Sequence, residues 1–397
     1  MVVASAPSLY HDRARSAAET VAAMRPHFPA LGITRLARQT GLDSLGIPCF
    51  AAFRPNSRSI ACNQGKGVDD DAARASAVME ATEYAIAEQP AGVRVVASSE
   101  VLEASGRRVF DPGRAMPIGA GLSPRGWIAW LDGRSLADGE QVMVPLDLVS
   151  LNGERPDLAG VCQHTNGLAS GNTTNEATFH GLCELVERDA AALWSLLPLP
   201  AKQARCVAPE SFADPLVGDL VERFESAGLD IRLFDQTSDL RLPTILAVSA
   251  PRDHGLARHF DVAAGAGTHP DPARAALRAL TEAAQTRVTS IAAARDDIRP
   301  DTYRLDGSAE AFALLASRPL RGNLAPRLAG RTAPELLAET LARLSARGVD
   351  DIVSVRLDSG DMGIAVVRVL SNLLEDRGPN TNWRPGARAL RLVLEDA

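Results

Sequence analysis

Three long segments of helical period each follow a turn that contains glycine or asparagine. They lie in residues 63–90, 165–190 and 261–297, and each places glutamate on one face of the expected helix. In the second segment, Leu182, Leu185 and Val186 occupy the opposite face, which is suited to a core. The shared plan predicts quasi-repeated strand–turn–helix units.

Shorter apolar runs, separated by Gly, Pro and Asp, predict the remaining elements. Strands are expected in residues 33–38, 47–54, 229–236, 243–250, 351–357 and 363–370, with a strand-rich meander in 93–151. Further helices are expected in residues 17–25, 217–227 and 334–347. Together these elements predict an α/β (α+β) fold of mixed sheets flanked by helices.

Composition narrows the classes of function. The chain has 397 residues and a net charge of -7, whereas a nucleic-acid surface would need a basic stripe, so no nucleic-acid partner is expected. The five cysteines show no C-x-x-C spacing, which argues against a disulfide framework or a zinc site. No apolar run reaches the length of a membrane span, and the N-terminus lacks a signal-like segment. We therefore expect a cytoplasmic protein that does not enter a membrane.

The second segment has the most distinctive pattern of charge. Asn172, Glu176, His180, Glu184 and Glu187 follow one another at intervals of four, four, four and three. That spacing places them within about a third of the helix circumference. Like charges on one stripe repel one another, so a stripe of this kind usually needs cations. A solvated acidic face is the alternative, but the preceding glycines and amides favour a binding site.

The first and third segments carry comparable groups on one side of each helix. These are Ser76, Glu80 and Glu83, after a turn with Lys66, and Arg278, Glu282 and Gln285, followed by Arg287 and Arg295. Convergence of the segments would place several carboxylates around one cavity, with lysine and arginine nearby. Carboxylate oxygens are ligands for Mg²⁺ and basic side chains bind phosphate, so the combination predicts an ATP site. The strict Walker spacing is absent.

These three segments resemble the YcaO family. The motifs are Gly65-Lys66-Gly67, Ser76/Glu80/Glu83, Asn172/Glu176, Gly181-Leu182-Cys183-Glu184 with Glu187-Arg188, Gly265/Gly267 and Glu282/Gln285/Arg287. The resemblance implies an ATP- and Mg²⁺-dependent enzyme that acts on peptide backbone amides. In the family, ATP phosphorylates the amide oxygen after, or together with, nucleophilic attack on the carbonyl carbon. A Cys, Ser or Thr side chain as nucleophile gives an azoline, and sulfide gives a thioamide.

The resemblance also implies a role for each matching residue. Glu80, Glu83, Glu184 and Glu187 are the predicted catalytic residues and would hold the Mg²⁺ ions that bridge the phosphates. The predicted nucleotide contacts are Lys66, Ser76, Asn172, Glu282, Gln285, Arg287 and Arg295, to which Arg13 and Thr20 are added. The last two match a basic and a hydroxyl residue seven positions apart in the family, although an exposed helix face explains that spacing equally well. Arg188 is expected to brace the site through a buried ion pair, and His180 to be packed or hydrogen-bonded.

Two departures from the family pattern bear on the reaction. Tyr84 stands where members usually have Arg, which affects an ion pair but not the metal ligands. The Pro-rich terminus of azoline-forming members is absent, and residues 32–56 resemble thioamide-forming members. We therefore expect sulfide as the nucleophile, a thioamide in a ribosomally made peptide or protein, and a TfuA-like partner protein. Azoline formation and a non-catalytic ATP-binding regulatory protein are the alternatives.

The same resemblance divides the chain into three parts and implies an assembly. Residues 1–60 form an N-terminal helix and strands, residues 61–300 the catalytic core, and residues 301–397 a C-terminal α/β segment that completes the domain. A precursor peptide or protein is the expected substrate. Because no peptide-recognition domain is fused to the chain, recognition of the peptide is expected to need another protein. A homodimer is also expected.

Overall fold

The computed structural model describes residues 12–92, 94–152, 156–253, 255, 257–322, 324–377 and 383–395. Within these residues the chain forms ten α-helices and fourteen β-strands, with short 3₁₀ turns between them. Helices and strands occur together throughout, as the predicted mixed fold requires. No helix in this part of the chain has both the length and the apolar character needed to cross a membrane.

The strands are mostly short and the helices vary widely in length. The strands are β1 (Arg35–Arg38), β2 (Cys49–Phe53), β3 (Cys62–Lys66), β4 (Val95–Ala97), β5 (Arg108–Val109), β6 (Ile128–Ser135), β7 (Gln141–Pro145), β8 (Leu168–Gly171), β9 (Cys206–Val207), β10 (Leu229–Asp235), β11 (Thr244–Pro251), β12 (Ala263–Thr268), β13 (Val353–Arg356) and β14 (Ala365–Leu370). The helices are α1 (Ala17–Met24), α2 (Asp70–Glu88), α3 (Ser99–Ala104), α4 (Thr174–Leu196), α5 (Leu199–Gln203), α6 (Pro215–Ser226), α7 (Pro272–Ala292), α8 (Ala309–Leu315), α9 (Ala333–Ser345) and α10 (Ala387–Glu395).

The described strands form three sheets. The first is antiparallel with the order β1-β2-β3, and the second is antiparallel with the order β12-β11-β10-β9. The third has the order β5-β7-β6-β13-β14-β8, and β4 pairs with β6. Strands β13 and β14 thus connect β6 to β8, with Ser354 opposite Arg134 and Val366 opposite Ser170. The C-terminal strands are therefore part of the same sheet as β8.

The three predicted strand–turn–helix units are present as β3–α2, β8–α4 and β12–α7. Each strand lies at one end of a different sheet. Glycine lets the helix backbone touch the strand: a Cβ on Gly65 would lie 2.0 Å from the amide nitrogen of Ala77, and one on Gly265 would lie 2.3 Å from that of Ala283. Any larger residue would clash with the helix backbone, so the glycines set the helix-to-strand distance in these units.

Each of the three helices begins at a capping residue. Asp69, Thr173 and Asp271 are the N-caps of α2, α4 and α7, and each side chain accepts a hydrogen bond from an amide of the first turn. Such a cap contributes about 1 kcal/mol. Pro272 occupies the first turn of α7, where the missing amide hydrogen costs nothing. The predicted starts of α2 and α7 are confirmed.

The apolar face of α4 fixes how the helix is rotated. Leu182 and Val186 are buried in a core cluster with Val367 and Val369 of β14 and Leu336 of α9. Burial of each such side chain contributes about 1.5–3 kcal/mol. Because the apolar face is held against β14 and α9, the acidic stripe on the other side of α4 turns towards the centre of the molecule.

The structure also contains elements that the sequence pattern did not predict. Residues 198–215, for which no helix or strand is predicted, include α5 and β9, and Cys206 of β9 is buried. Residues 300–332, for which no helix or strand is predicted, include α8, whose Leu314 and Leu315 are buried. These elements are too short to show a period. The boundaries after residues 60 and 300 stay a prediction, and residues 1–11 lie outside the described chain.

Candidate functional site

The helices α2, α4 and α7 meet around a cavity of about 710 Å³. A volume of this size is typical of sites for small molecules and cofactors. The cavity brings together twelve of the thirteen predicted site residues: Arg13, Thr20, Lys66, Ser76, Glu80, Glu83, Asn172, Glu184, Glu187, Glu282, Gln285 and Arg295. The predicted convergence of the three segments is therefore observed, while the role of each residue stays a prediction.

Carboxylates of the first two units approach each other at the cavity wall. Glu83 of α2 accepts hydrogen bonds from the amide nitrogen of Ser170 at 2.8 Å and from its hydroxyl at 2.6 Å. Burial raises the pKa of Glu83 to about 8, and the nearby charges of Glu80 and Glu184 add to the increase. Burial also raises the pKa of Glu80 to about 7, although Arg295 opposes that change. The negative charges are crowded enough to favour a cation.

Glu184 and Glu187 are held by backbone amides and by one arginine. The amide nitrogen of Gly167 donates to Glu184 at 3.3 Å, and that of Thr268 donates to Glu187 at 3.1 Å. Arg188 contacts both carboxylates, at 3.4 Å and 3.6 Å. Burial raises the pKa of Glu187, and the Arg188 guanidinium opposes the increase. The expected bracing ion pair of Arg188 is present.

Lys66 and Glu282 connect the first and third units. The Lys66 ammonium lies 2.8 Å from a carboxylate oxygen of Glu282. Burial alone would raise the pKa of Glu282, but Lys66 holds it below its ordinary value. The three units are thus joined in a ring, because Glu83 contacts Ser170, Glu187 contacts Thr268, and Lys66 contacts Glu282.

The N-terminal segment closes one side of the cavity through α4. Glu176 is buried, accepts a hydrogen bond from the amide nitrogen of Ala14 at 2.5 Å, and lies 3.7 Å from the Arg13 guanidinium. The buried hydroxyl of Thr20 donates to the side-chain oxygen of Asn172 at 3.0 Å. An exposed helix face therefore does not explain the spacing of Arg13 and Thr20. Glu176 therefore anchors this segment through Ala14 and Arg13.

Several cavity residues were not among the predicted catalytic, metal-binding or nucleotide-binding residues. They are Arg15, Tyr84, His180, Arg188, His259, Phe260, Arg274, Arg278 and Tyr303, among others. Arg274 precedes Arg278 by four residues on α7, so helical spacing alone could have indicated it. Phe260 and Tyr303, whose ring centroids are 5.4 Å apart, lie in 3₁₀ turns that are too short to show a period.

Arg287 is the one predicted nucleotide contact that lies outside the cavity wall. Its side chain does not line the cavity and lies 3.7 Å from the Asp43 carboxylate. The reason is helix geometry, because two residues after Gln285 correspond to about 200° of rotation on α7. Gln285 faces the cavity, so Arg287 faces away from it.

The arrangement matches a known family. The model of the family described as YcaO cyclodehydratase, ATP- and Mg²⁺-binding, matches residues 64–374. The chain belongs to the YcaO family. An uncharacterised protein from the tfuA 3′ region of Rhizobium leguminosarum bv. trifolii is 42% identical to it, with 97% of this chain and 93% of that protein covered.

Two solved structures share the fold. YcaO from Methanopyrus kandleri bound with AMPPCP and Mg²⁺ has a TM-score of 0.72 and 21% identity, covering 95% of this chain and 96% of that one. A heterocyclase in complex with substrate and cofactor has a TM-score of 0.74 and 21% identity; 92% of this chain is covered, but only 53% of that one. The predicted family and mixed α/β fold are confirmed. The family description confirms ATP and Mg²⁺ as cofactors and assigns the chain to enzymes of peptide modification.

The cavity of this YcaO protein fits Mg²⁺ that is bound together with a polyphosphate. Among the described residues, no three His, Cys, Asp or Glu side chains form a ready-made metal site. Mg²⁺ usually binds through one or two carboxylates, water and substrate phosphates, so a cage made only of protein ligands is unnecessary. Glu80, Glu83, Glu184 and Glu187 would supply the oxygen ligands, and burial together with the nearby charges of Glu80 and Glu184 raises the pKa of Glu83, which is consistent with a position that accepts added positive charge.

Proposed function

We propose that this YcaO protein activates a peptide backbone amide with ATP and Mg²⁺ and replaces the amide oxygen with sulfur, which gives a thioamide. The observation that carries the choice of sulfide is the 42% identity to the protein of the tfuA 3′ region. The resemblance of the chain to TfuA-associated, thioamide-forming members supports the same choice. The cavity supports the activation step, because it gathers four glutamates from two helices.

The acidic and basic residues of the cavity would bind different parts of Mg·ATP. Glu80, Glu83, Glu184 and Glu187 would hold Mg²⁺ against the phosphates, and Lys66 would bind phosphate oxygens after leaving Glu282. ATP supplies the phosphoryl group that makes the amide oxygen a leaving group, and Mg²⁺ offsets the charge of the phosphates. The protein contributes fixed positions and a partly closed cavity.

The overall reaction, in which sulfur replaces the amide oxygen, balances without an oxidant or a reductant. Sulfide forms a bond to the carbonyl carbon, and the bond between that carbon and the oxygen breaks. The oxygen departs in inorganic phosphate, and ADP is the second product. The peptide exchanges one oxygen for one sulfur and loses no water.

The proposal includes a partner and an assembly. A TfuA-like protein would assist the reaction, and a precursor peptide or protein would be the substrate. We further propose that the enzyme works in the cytoplasm as a homodimer. Size-exclusion chromatography with light scattering tests the dimer, since a monomeric mass at assay concentrations would refute it.

The function is tested by reconstitution. The purified protein is mixed with a TfuA-like protein encoded near its gene, a candidate peptide from the same region, ATP, Mg²⁺ and sulfide. We expect phosphate release and a peptide mass increase equal to the exchange of oxygen for sulfur. Glu184→Ala should abolish both, whereas Glu100→Ala on the exposed surface of α3 should retain both.

Other products would contradict the thioamide assignment. Loss of one water from a peptide with Cys, Ser or Thr would indicate an azoline instead. ATP binding without turnover, whichever peptide and partner are supplied, would indicate a regulatory protein.

A further inference from the structure

Arg278 and His180 contact each other across the cavity, and neither residue has a role in the proposed function. Arg278 lies on α7 one turn before Glu282, and His180 lies on α4 one turn before Glu184. The Arg278 Nη2 is 3.1 Å from the His180 Nε2, and both side chains line the cavity. The contact joins the second and third units beside the predicted metal ligands.

The chemistry of the contact fixes the state of the imidazole. A guanidinium has only donors, so the His180 Nε2 must accept, and the proton of a neutral ring lies on Nδ1. Burial and the charges of Arg278, Arg13 and Lys66 hold the pKa of His180 well below its usual value. His180 is therefore a neutral, fixed hydrogen-bond acceptor and is not a base that titrates near neutral pH.

The charge of Arg278 is not balanced by a contacting carboxylate. Most other cations of the cavity wall are paired: Lys66 with Glu282, Arg13 with Glu176, Arg188 with Glu184 and Glu187, Arg274 with Asp12, and Arg295 with Asp297. Within the described ranges Arg278 makes no ion pair, and its buried Nε has no hydrogen-bond partner. Arg278 influences Glu187 and Glu282 only through space. The half-buried guanidinium is therefore left for an anionic ligand.

We propose that Arg278 binds a phosphate of the nucleotide and that His180 is a positioning residue that orients its guanidinium. The inference rests on the ATP site of the proposed function and adds two residues to it. The imidazole holds the guanidinium at its Nη2, and the Arg278 side chain lines the cavity, so donors other than Nη2 remain for a ligand. A fixed guanidinium loses less side-chain entropy when it binds phosphate than a mobile one does.

Calorimetric titration with Mg·ATP and with adenosine tests the phosphate contact. Arg278→Met should weaken Mg·ATP binding about 10- to 100-fold, the range for a lost charge-assisted hydrogen bond, and leave adenosine affinity within about twofold. Arg278→Lys keeps the charge without the planar fork, so its affinity for Mg·ATP should lie between those of the wild type and Arg278→Met. Arg125→Met, at an exposed arginine, is the matched control and should bind as the wild type does.

The positioning role of His180 is tested by rescue. His180→Leu should weaken Mg·ATP binding about 3- to 10-fold, whereas His180→Gln, whose amide oxygen can accept in place of Nε2, should recover most of the loss. A purely structural role would not distinguish the two variants in this way. Equal affinities of Arg278→Met and the wild type would overturn the inference. The inference would also be overturned if Arg278→Met lost as much affinity for adenosine as for Mg·ATP, or if His180→Gln bound Mg·ATP as weakly as His180→Leu. Because the readout is binding, a failure to detect thioamide would refute the proposed function and leave this inference intact.

Discussion

Gly65→Ala tests whether the glycine-lysine-glycine turn is a packing motif. Gly65 lies in β3 beneath α2, where an added Cβ would be 2.0 Å from the amide nitrogen of Ala77 and 2.4 Å from the carbonyl oxygen of Ala73. Both atoms belong to the helix backbone, so no side-chain rotation relieves the clash. The contact with Ala77 must lengthen to at least 3.0 Å, and α2 must therefore move away from β3.

The displacement should reduce stability and function together. Overpacking of this kind costs about 1–3 kcal/mol of unfolding free energy. Glu80 and Glu83 follow Ala77 on the same helix, so they move with it. A misplacement of about 1 Å lowers catalytic rates on the order of 100-fold, and we expect a loss of that size in phosphate release.

Denaturant unfolding and phosphate release measure the two effects. Gly218→Ala in α6 is the matched control, because an added Cβ there meets nothing within 4 Å. Alanine favours the helix, so the control should gain about 0.5–1 kcal/mol and keep its activity. If Gly65→Ala unfolds at the same denaturant concentration as the wild type and releases phosphate at the same rate, the packing interpretation of this turn is wrong.

Three further predictions concern charge and hydrogen bonding. Glu83→Gln should unfold at a higher denaturant concentration than the wild type at pH 8 in EDTA, and yet bind Mg·ATP poorly. Burial raises the pKa of Glu83 to about 8, so ionisation of Glu83 lowers the free energy of unfolding as pH rises from 4.5 towards 8. Below pH 4.5 the carboxyl group is neutral, and the stability difference between Glu83→Gln and the wild type should vanish. Thr20→Val removes the 3.0 Å hydrogen bond to Asn172 and should weaken Mg·ATP binding about fivefold, which calorimetry measures, without unfolding the protein. Arg388→Met leaves the buried Asp189 without its bidentate partner and should cost about 3–5 kcal/mol, measured by the shift in the denaturant midpoint. An unchanged value in any of these measurements would contradict the corresponding contact.

Helical spacing made the acidic helices predictable. The intervals between Glu184 and Glu187, and between Glu80 and Glu83, place each pair on one face whatever the rest of the fold does. The apolar face of α4 also indicated which way the acidic face points, because Leu182 on the opposite side has to enter a core. The long elements with clear periods were likewise predicted, whereas α5, α8 and β9 depend on tertiary burial that no short segment reveals.

Contacts between distant segments could not be derived from spacing. The hydrogen bonds of Glu83 with Ser170 join residues 87 positions apart, and they exist because α2 lies beside β8. Arg287 shows the converse, because a motif suggested a nucleotide contact but the helix turns the side chain towards Asp43. Motif membership fixes which residues occur together in sequence, while the rotation of the helix decides which of them face the cavity.

The pairing of Lys66 with Glu282 suggests how the cavity accepts its ligands. A phosphate would compete for the Lys66 ammonium, and Mg²⁺ would compete for the Glu282 carboxylate, so both charges can exchange partners together. A metal alone would leave Lys66 unpaired, and a polyphosphate alone would meet the carboxyl group of Glu83, which has no contacting cation within the described ranges. Each ligand therefore removes the electrostatic cost that the other would face. We infer that Mg²⁺ and the nucleotide bind cooperatively, which is consistent with the lack of a ready-made metal site among the described residues.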